Sequence, residues 1–319
     1  YPIRNLKIFA FQIPRFQTFF WCILIHLTAC SKNGREDGSG EESTPPRDLI
    51  EIKVEGELRA LVDNSSTSYF IYKGQPMGYE FELLSAFSKA IDVSLKVIPI
   101  ENLYQMIDSL NSFQGDIIAA NLTITKNRRE EVEFSSPLIR SKQVLVQRAV
   151  SVEDGLISSA TELAAKEVYV RKNSSFYKRL IHLSEEIGES IVIREAAGDL
   201  TVEELIKKVS EGEIDYTIAD EHVAKINSAY YRNLHIHTPV SVEQDIAWAV
   251  RKESPDLLIA INEWLRNFKK TVEFRLIYLK YFGNTSMYKS RVKSDLFTTK
   301  SGRLSPYDEI IKKEVASIA

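Results

Sequence analysis

The sequence predicts an α/β protein built as two lobes with a cleft between them, and two observations carry that prediction. The first is the stretch 115–137, GDIIAANLTITKNRREEVEFSSP. Ile117, Ile118, Ala119 and Ala120 form an unbroken apolar run, the pattern of a parallel strand covered on both faces. The run ends abruptly in the polar Asn121, Thr123 and Thr125. The second observation is a degenerate copy: residues 110–121 read LNSFQGDIIAAN and residues 209–220 read VSEGEIDYTIAD. In both, a helical pattern runs into a Gly and an Asp and then into a short buried strand. In both, a polar residue stands five positions after the Asp: Asn121 after Asp116, and Asp220 after Asp215. Each half therefore delivers a hydrogen-bonding side chain to the carboxyl end of a strand, where ligands lie in open α/β sheets.

The two strand ends differ in charge. Thr125 is placed to cap residues 126–131 as one or two helical turns. Arg128 then falls in a first turn, where the helix dipole disfavours a cation by roughly a few tenths of a kcal/mol. A residue set against the local rule points to function. An arginine beside hydroxyls and free backbone N–H groups is a carboxylate receptor in outline. The plain alternative is a solvated Arg128-Arg129-Glu130-Glu131 run of surface salt bridges. Asp220 offers a carboxylate from the other half, so a zwitterion held between Arg128 and Asp220 satisfies both.

The rest of the chain fits this frame. Its 319 residues allow one two-lobed unit or two domains. With a net charge of −3 and no long basic stripe, nothing suggests nucleic acid, and no nucleic-acid partner is expected. There is no Gly-rich phosphate loop and no His/Cys metal spacing, so no cofactor or metal is expected. His235 and His237 alternate like strand residues, with no third ligand evident. Arg4, Lys7 and Arg15 precede an apolar stretch of about 14 residues, 16–29, too short for an ordinary membrane span but suited to a signal-peptide core. The polar, low-complexity SKNGREDGSGEESTPPRD follows at once, which argues against a buried helix. With Cys22 inside the signal, the mature chain has no pair of cysteines for a disulfide.

Residues 58–62 read as a first strand, 64–68 as a polar loop and 74–78 as a turn. Phe81, Leu84, Ala86, Phe87 and Ile91 have helical spacing, as do Tyr104, Met106, Ile107 and Leu110; residues 95–98 between them are a strand. Residues 143–147 read as the strand leaving the first lobe, and 168–170 as another. Ser174 and Ser175 then open a helix through Phe176 and Leu180. Their hydroxyls can hold a carboxylate, cap the helix, or do both. Residues 245–250, DIAWAV, read as the return to the first lobe, and Pro255 opens an amphipathic helix. Residues 284–303 are polar and read as a linker before a last helix that starts near Ser305.

Three separated motifs carry a family resemblance: GYEFELLSAFSKAIDVSLKVIP (78–99), NLTITKNRREEVEFSSPL (121–138) and GEIDYTIADE (212–221). In this order they resemble the family 3 solute-binding proteins, the amino-acid-type receptors of bacterial ABC transporters, over roughly residues 49–282. IDYTIADE and the tail YLKYFGN…SPYDEIIKKEVA more closely resemble the receptor-like module of the membrane-bound lytic transglycosylase F family. The resemblance implies a two-lobed periplasmic-binding-protein-like fold (type II), each lobe a mixed sheet flanked by helices. Lobe 1 would be residues 49–143 and 241–283, and lobe 2 residues 144–240. It implies that Arg128 holds a carboxylate, aided by Thr123 and by Asn121 or nearby backbone, and that Asp220 holds an ammonium. Tyr69 and Tyr104 stand where the family has pocket aromatics, although a packing role suits each about as well.

Residues 27–30, LTAC, resemble a lipobox. This implies a signal peptide over 1–29, a lipidated Cys30, a flexible linker over 30–48, and anchorage on the periplasmic side of a bacterial membrane, the outer one by expectation. Residues 305–319, after a linker over 284–304, resemble the opening helix of a lytic transglycosylase domain whose catalytic Glu would lie farther along. The sequence is therefore read as a regulatory module. It would bind a small zwitterion (amino acid, peptide or muropeptide) and close by hinge motion, and a further C-terminal domain would engage peptidoglycan. The alternative is a stand-alone lipoprotein receptor feeding an amino-acid ABC permease. Glycan cleavage by these residues themselves is disfavoured, because no acidic pair carries a glycosidase signature.

Overall fold

The computed structural model describes residues 47–100, 102–149, 155–196 and 200–299. Cys30, the lipobox-like residues and the expected helix at 305–319 lie outside the described residues, as does the side chain of Tyr104. In chain order the first half contains α1 (Leu49–Glu55), β1 (Glu57–Val62), β2 (Phe70–Tyr72), β3 (Gln75–Met77), α2 (Tyr79–Ala90), β4 (Ser94–Pro99), α3 (Leu103–Asn111), β5 (Ile117–Thr123), α4 (Lys126–Arg129), β6 (Glu133–Phe134) and β7 (Ile139–Ser141). Then come β8 (Gln143–Arg148), β9 (Glu167–Val170), α5 (Ser175–Ile187), β10 (Val192–Glu195), α6 (Val202–Glu211), β11 (Thr217–Asp220), α7 (Glu221–Tyr230) and β12 (Leu234–Pro239). The chain continues with β13 (Gln244–Val250), α8 (Pro255–Phe268), α9 (Val272–Tyr278), α10 (Thr285–Val292) and β14 (Phe297–Thr298).

Two mixed sheets form the two lobes. The first runs β4-β1-β5-β13-β6, with β7 also on β13; β4, β1 and β5 are parallel and β13 is antiparallel to its neighbours. The second runs β10-β9-β11-β8-β12, with β10, β9 and β11 parallel and β8 antiparallel to β11 and β12. The apolar run of β5 is continuous because the strand is covered twice. Ile117 and Ala119 pack with Leu83, Phe87 and Ile261 from α2 and α8. Ile118, Ala120 and Leu122 pack with Met106 and Leu110 from α3. In the second lobe Ile218 faces Leu180 and Leu183 of α5, and Ala219 faces Ile206 and Val223 of α6 and α7.

The chain crosses between the sheets at Lys142, from β7 to β8, and returns through residues 240–243, from β12 to β13. Gln143, at the first crossing, is fully buried and donates to Gln244 Oε1 at 2.9 Å, at the second. The Asp that precedes each repeated strand has a different task in each lobe. Asp116 is fully buried, accepts the Arg59 N–H at 2.9 Å and pairs with Arg47 at 2.7 Å. Asp215 forms an exposed pair with Arg148 at 2.5 Å.

The structure corrects two expected boundaries. Arg47 and Asp48 do not belong to a flexible linker. Arg47 is buried against Asp116, and Asp48 caps α1 while accepting the backbone N–H groups of Asp256 and Leu257 on α8. Residues 284–298 are not a linker either. α10 packs on α7 of the second lobe and buries Tyr288 and Arg291, and β14 pairs with β2. The stretch reads as polar because its buried face is a tyrosine and an arginine rather than aliphatic residues.

Candidate functional site

The site is assembled where strands of both sheets end. β5 ends at Thr123, and the short α4 follows. The Thr125 side chain accepts the Arg128 N–H at 3.4 Å, as its capping position predicts. The Arg128 guanidinium folds back to donate to the Thr123 carbonyl at 2.8 Å, whereas Arg129 is exposed. From the second lobe, Ser174 is the N-cap residue of α5 and Ser175 its first residue. Ser175 Oγ donates to Thr123 Oγ1 at 3.2 Å and accepts from Gln143 Nε2 at 3.1 Å. Ser174 Oγ is buried and has no hydrogen-bond partner among the described residues. Asp220, at the end of β11, caps no backbone N–H of α7 with its side chain. It accepts instead from Asn121 Nδ2, across the cleft, at 2.9 Å.

These six side chains, Asn121, Thr123, Arg128, Ser174, Ser175 and Asp220, line one cavity of about 50 Å³ between the lobes. A second cavity of about 450 Å³ adjoins it and shares Arg128, Ser174 and Ser175. Of the aromatics proposed for the pocket, Tyr69 takes its packing role. Its ring lies 5.9 Å from that of Phe81, against the first-lobe core, and it does not line the cavity.

Burial sets the electrostatics of the cleft. It pushes the Asp220 carboxyl up to about 7, against the opposing effects of the Asn121 hydrogen bond and the Arg128 charge. It pushes the Arg128 guanidinium down to about 10, against the pull of Asp220 and Glu131. A ligand carboxylate beside Arg128 and a ligand ammonium beside Asp220 would each add to the opposite charge that these groups already feel.

Five further side chains in or beside the cleft were not singled out from the sequence. Asp63 and Arg171 form a bidentate ion pair across the cleft at 2.7 and 2.9 Å, and both line the cavity. Glu203, at the start of α6, accepts from Ser66 at 3.1 Å and Thr67 at 3.3 Å in the first lobe. The loop bearing Ser66 and Thr67 is pinned by Gly78, where any Cβ would stand 2.0 Å from the Ser68 carbonyl oxygen. Glu80 is buried under the site. It accepts the Trp248 indole N–H at 2.6 Å and the Asn121 backbone N–H at 3.3 Å, and burial pushes its carboxyl up to about 7. His222 is hydrogen-bonded through Nε2 to Asn121 Oδ1 at 3.1 Å and through Nδ1 to Ser141 Oγ at 3.0 Å. The signal for two of the five was present. Asp63 directly follows β1 and Arg171 directly follows β9, so the strand-end rule that selects Arg128 and Asp220 selects them as well.

Among the described residues no group of His, Cys, Asp and Glu is placed to hold a metal ion, and no helix is long and apolar enough to cross a membrane.

Comparison with known proteins agrees with this architecture. The chain is 34% identical over 235 residues to the membrane-bound lytic murein transglycosylase F of Desulfosudis oleivorans, covering 73% of this chain and 50% of that protein. It is 28% identical over 292 residues to the protein of the same name from Aliivibrio fischeri, covering 91% of this chain and 57% of that one. The chain thus spans about half the length of these curated relatives. Among solved structures, a mutant of ArgBP from T. maritima matches 74% of this chain and 99% of its own, at 26% identity and a TM-score of 0.64. Holo ArgBP from the same source matches 72% and 97%, at 27% identity and a TM-score of 0.61. Residues 58–284 match the bacterial extracellular solute-binding proteins, family 3, and the chain belongs to that family.

Proposed function

We propose that this chain is the ligand-sensing module of a lipid-anchored enzyme that cleaves peptidoglycan, and that its cleft closes on a small zwitterion: an amino acid, a peptide or a muropeptide. The observation that carries the binding reading is the single cavity that presents Arg128 from one lobe and Asp220 from the other, with Thr123, Ser174 and Ser175 beside them. Arg128 would take the ligand carboxylate, assisted by hydroxyls at the α5 N-terminus, where the helix dipole also favours an anion. Asp220 would take the ammonium. A ligand touching both lobes favours the closed form by its differential affinity. The enzymatic context, a periplasmic location and lipidation at Cys30 are supported by the likeness to the transglycosylase F proteins and by the LTAC sequence.

Calorimetry against a panel of amino acids and murein peptides tests the reading. Leaving one buried ligand charge unpaired costs about 2–5 kcal/mol. Arg128→Ala and Asp220→Ala should therefore each weaken binding at least tenfold, about 1.4 kcal/mol or more. Arg129→Ala is the control, since its side chain is exposed. Equal losses at Arg128 and Arg129, with the fold intact, would remove the carboxylate-receptor assignment.

A further inference from the structure

The carboxylate assigned to a ligand ammonium already has an N–H donor within the chain. Asn121 Nδ2, from the first lobe, donates to Asp220 Oδ2, in the second, at 2.9 Å. Three features hold that donor in place. The Asn121 backbone is left-handed, with φ of +52°, a region that Asn enters more readily than other residues with a side chain. Its N–H is fixed by Glu80, which is itself tied to the Trp248 indole in the first-lobe core. Its amide oxygen meets His222 Nε2.

The Asn121 amide and the His222 ring belong to one series of polar contacts. Burial pushes His222 down to about 3, with Lys225 adding to the effect, so the ring is neutral and carries one N–H. The Asn121 oxygen can only accept, so that proton is on Nε2. Nδ1 lies 3.0 Å from Ser141 Oγ, whose hydroxyl also reaches the Lys142 carbonyl at 3.2 Å. The amide oxygen lies on the His222 side and the NH₂ end on the Asp220 side. The contacts link Ser141, His222, Asn121 and Asp220 in that spatial order. The series starts on β7, one residue from the crossing at Lys142, and ends in the cavity.

To a carboxylate, a primary amide and an ammonium offer the same feature, an N–H at hydrogen-bonding distance. The ammonium is charged and makes the stronger bond. The amide is tethered, which gives it a high effective concentration. We propose that Asn121 is a built-in competitor for the ligand's amino group: its amide holds Asp220 and must swing away before an ammonium can take that carboxylate. This rests on the zwitterion reading of the cleft. Asn121 then sets affinity and selectivity together. A free amino acid has to displace the amide. A ligand with a carboxylate but a blocked amino group leaves the amide on Asp220 and engages Arg128 alone.

Calorimetry on the full chain tests this with L-alanine, L-glutamine, L-arginine and their N-acetyl counterparts. The variants are Asn121→Gly, which keeps the left-handed backbone free of strain, and Asn121→Ser. The expected result is that both bind at least one free amino acid about tenfold tighter than the parent, a gain of about 1.4 kcal/mol. The N-acetyl forms should stay within about twofold of the parent, since their binding does not use Asp220. Adding Asp220→Asn to Asn121→Gly should abolish the gain. Unchanged or weaker binding of the amino acids by Asn121→Gly overturns the proposal and makes Asn121 a ligand contact or a bystander. An equal gain for the N-acetyl forms overturns it too. If the competitor role fails while Arg128→Ala and Asp220→Ala still weaken binding, the zwitterion reading stands alone. If none of these substitutions alters binding of any probe, both readings fall.

Discussion

Asp63 and Arg171 are held together across the cleft, and separating them should open it. Both are nearly out of water, with 7% and 4% of their surface exposed. Two hydrogen bonds of 2.7 and 2.9 Å join the carboxylate to the guanidinium. Burial opposes the Arg171 charge, but Asp63 chiefly, with Glu203 and Glu204, more than offsets it, so the guanidinium is held above its ordinary range. Asp63→Asn keeps the shape and removes the charge. Breaking a buried pair by removing one partner costs about 3–5 kcal/mol. Because Glu203 and Glu204 still act on Arg171, the lower end applies, about 3 kcal/mol. In the open form the remaining charged group is rehydrated, so the penalty falls on closure rather than on folding. The closed-to-open ratio should therefore drop by about two decades. Arg171→Met should act likewise by orphaning Asp63. The double variant Asp63→Leu with Arg171→Met removes both charges and should close again, because apolar replacement of a whole buried pair is often neutral. Electron–electron distance measurements between spin labels placed at Lys89 on α2 and Lys207 on α6 report the lobe separation. Single variants that stay as closed as the parent would refute the reasoning, as would a double variant that opens as far as the singles.

The remaining predictions concern proton linkage and the stretch after lobe 1. With Asp220 pushed up to about 7, an ammonium arriving at lower pH must first expel a proton. Amino-acid affinity should therefore rise up to about tenfold per unit toward pH 7 and level off above it. A flat profile by calorimetry would contradict this, and a profile that survives Asp220→Asn would assign the titration to Glu80. For the fold the sign follows from the same shift. The native state binds more protons at Asp220 than the unfolded chain between about pH 4 and about 7, so its contribution to stability falls as pH rises through that window. Asp220→Asn should raise the thermal midpoint above the parent's at about pH 8 and not at about pH 4. Tyr288→Phe should cost about 1–3 kcal/mol, because the hydroxyl is buried between Asn227 at 2.8 Å and Ser66 at 3.1 Å. An unchanged denaturant midpoint would mean that this hydroxyl contributes nothing to stability.

The parts of the fold legible in the sequence are those where one physical demand acts on consecutive residues. β5 has to be apolar on both faces, so its run stands out, and the polar residues after it mark where the sheet ends. The same logic located Arg128 and Asp220. Glu80 was missed because an acidic residue in a first helical turn satisfies the helix dipole wherever it points, and only the tertiary fold puts the Trp248 indole over it. Arg171 is followed by Lys172 and Asn173, a neighbourhood that reads as solvated surface. α10 was missed because hydrophobic periodicity is blind to a helix whose buried contacts are Tyr288 and Arg291. Tyr69 shows the converse: a family position suggested a pocket wall, and the local packing against Phe81 decided otherwise.

α10 also bears on how the lobes can move. It leaves the first lobe after Gly283 and lies on α7 of the second; β14 then returns to β2, with Phe297 opposite Tyr72. The Arg291 guanidinium sits over the rings of Phe70 and Tyr281, both in the first-lobe core. Two crossing strands alone would leave the lobes free both to swing and to twist about the axis between them. A third tie, set to one side of those strands, takes away a degree of freedom. The lobes can part only along a path that keeps α10 seated on α7, or else the Tyr288 hydroxyl must let go of Ser66 or of Asn227. The joint is then closer to a door on a fixed pin than to a ball in a socket, and a ligand's work in the cleft is delivered along one direction.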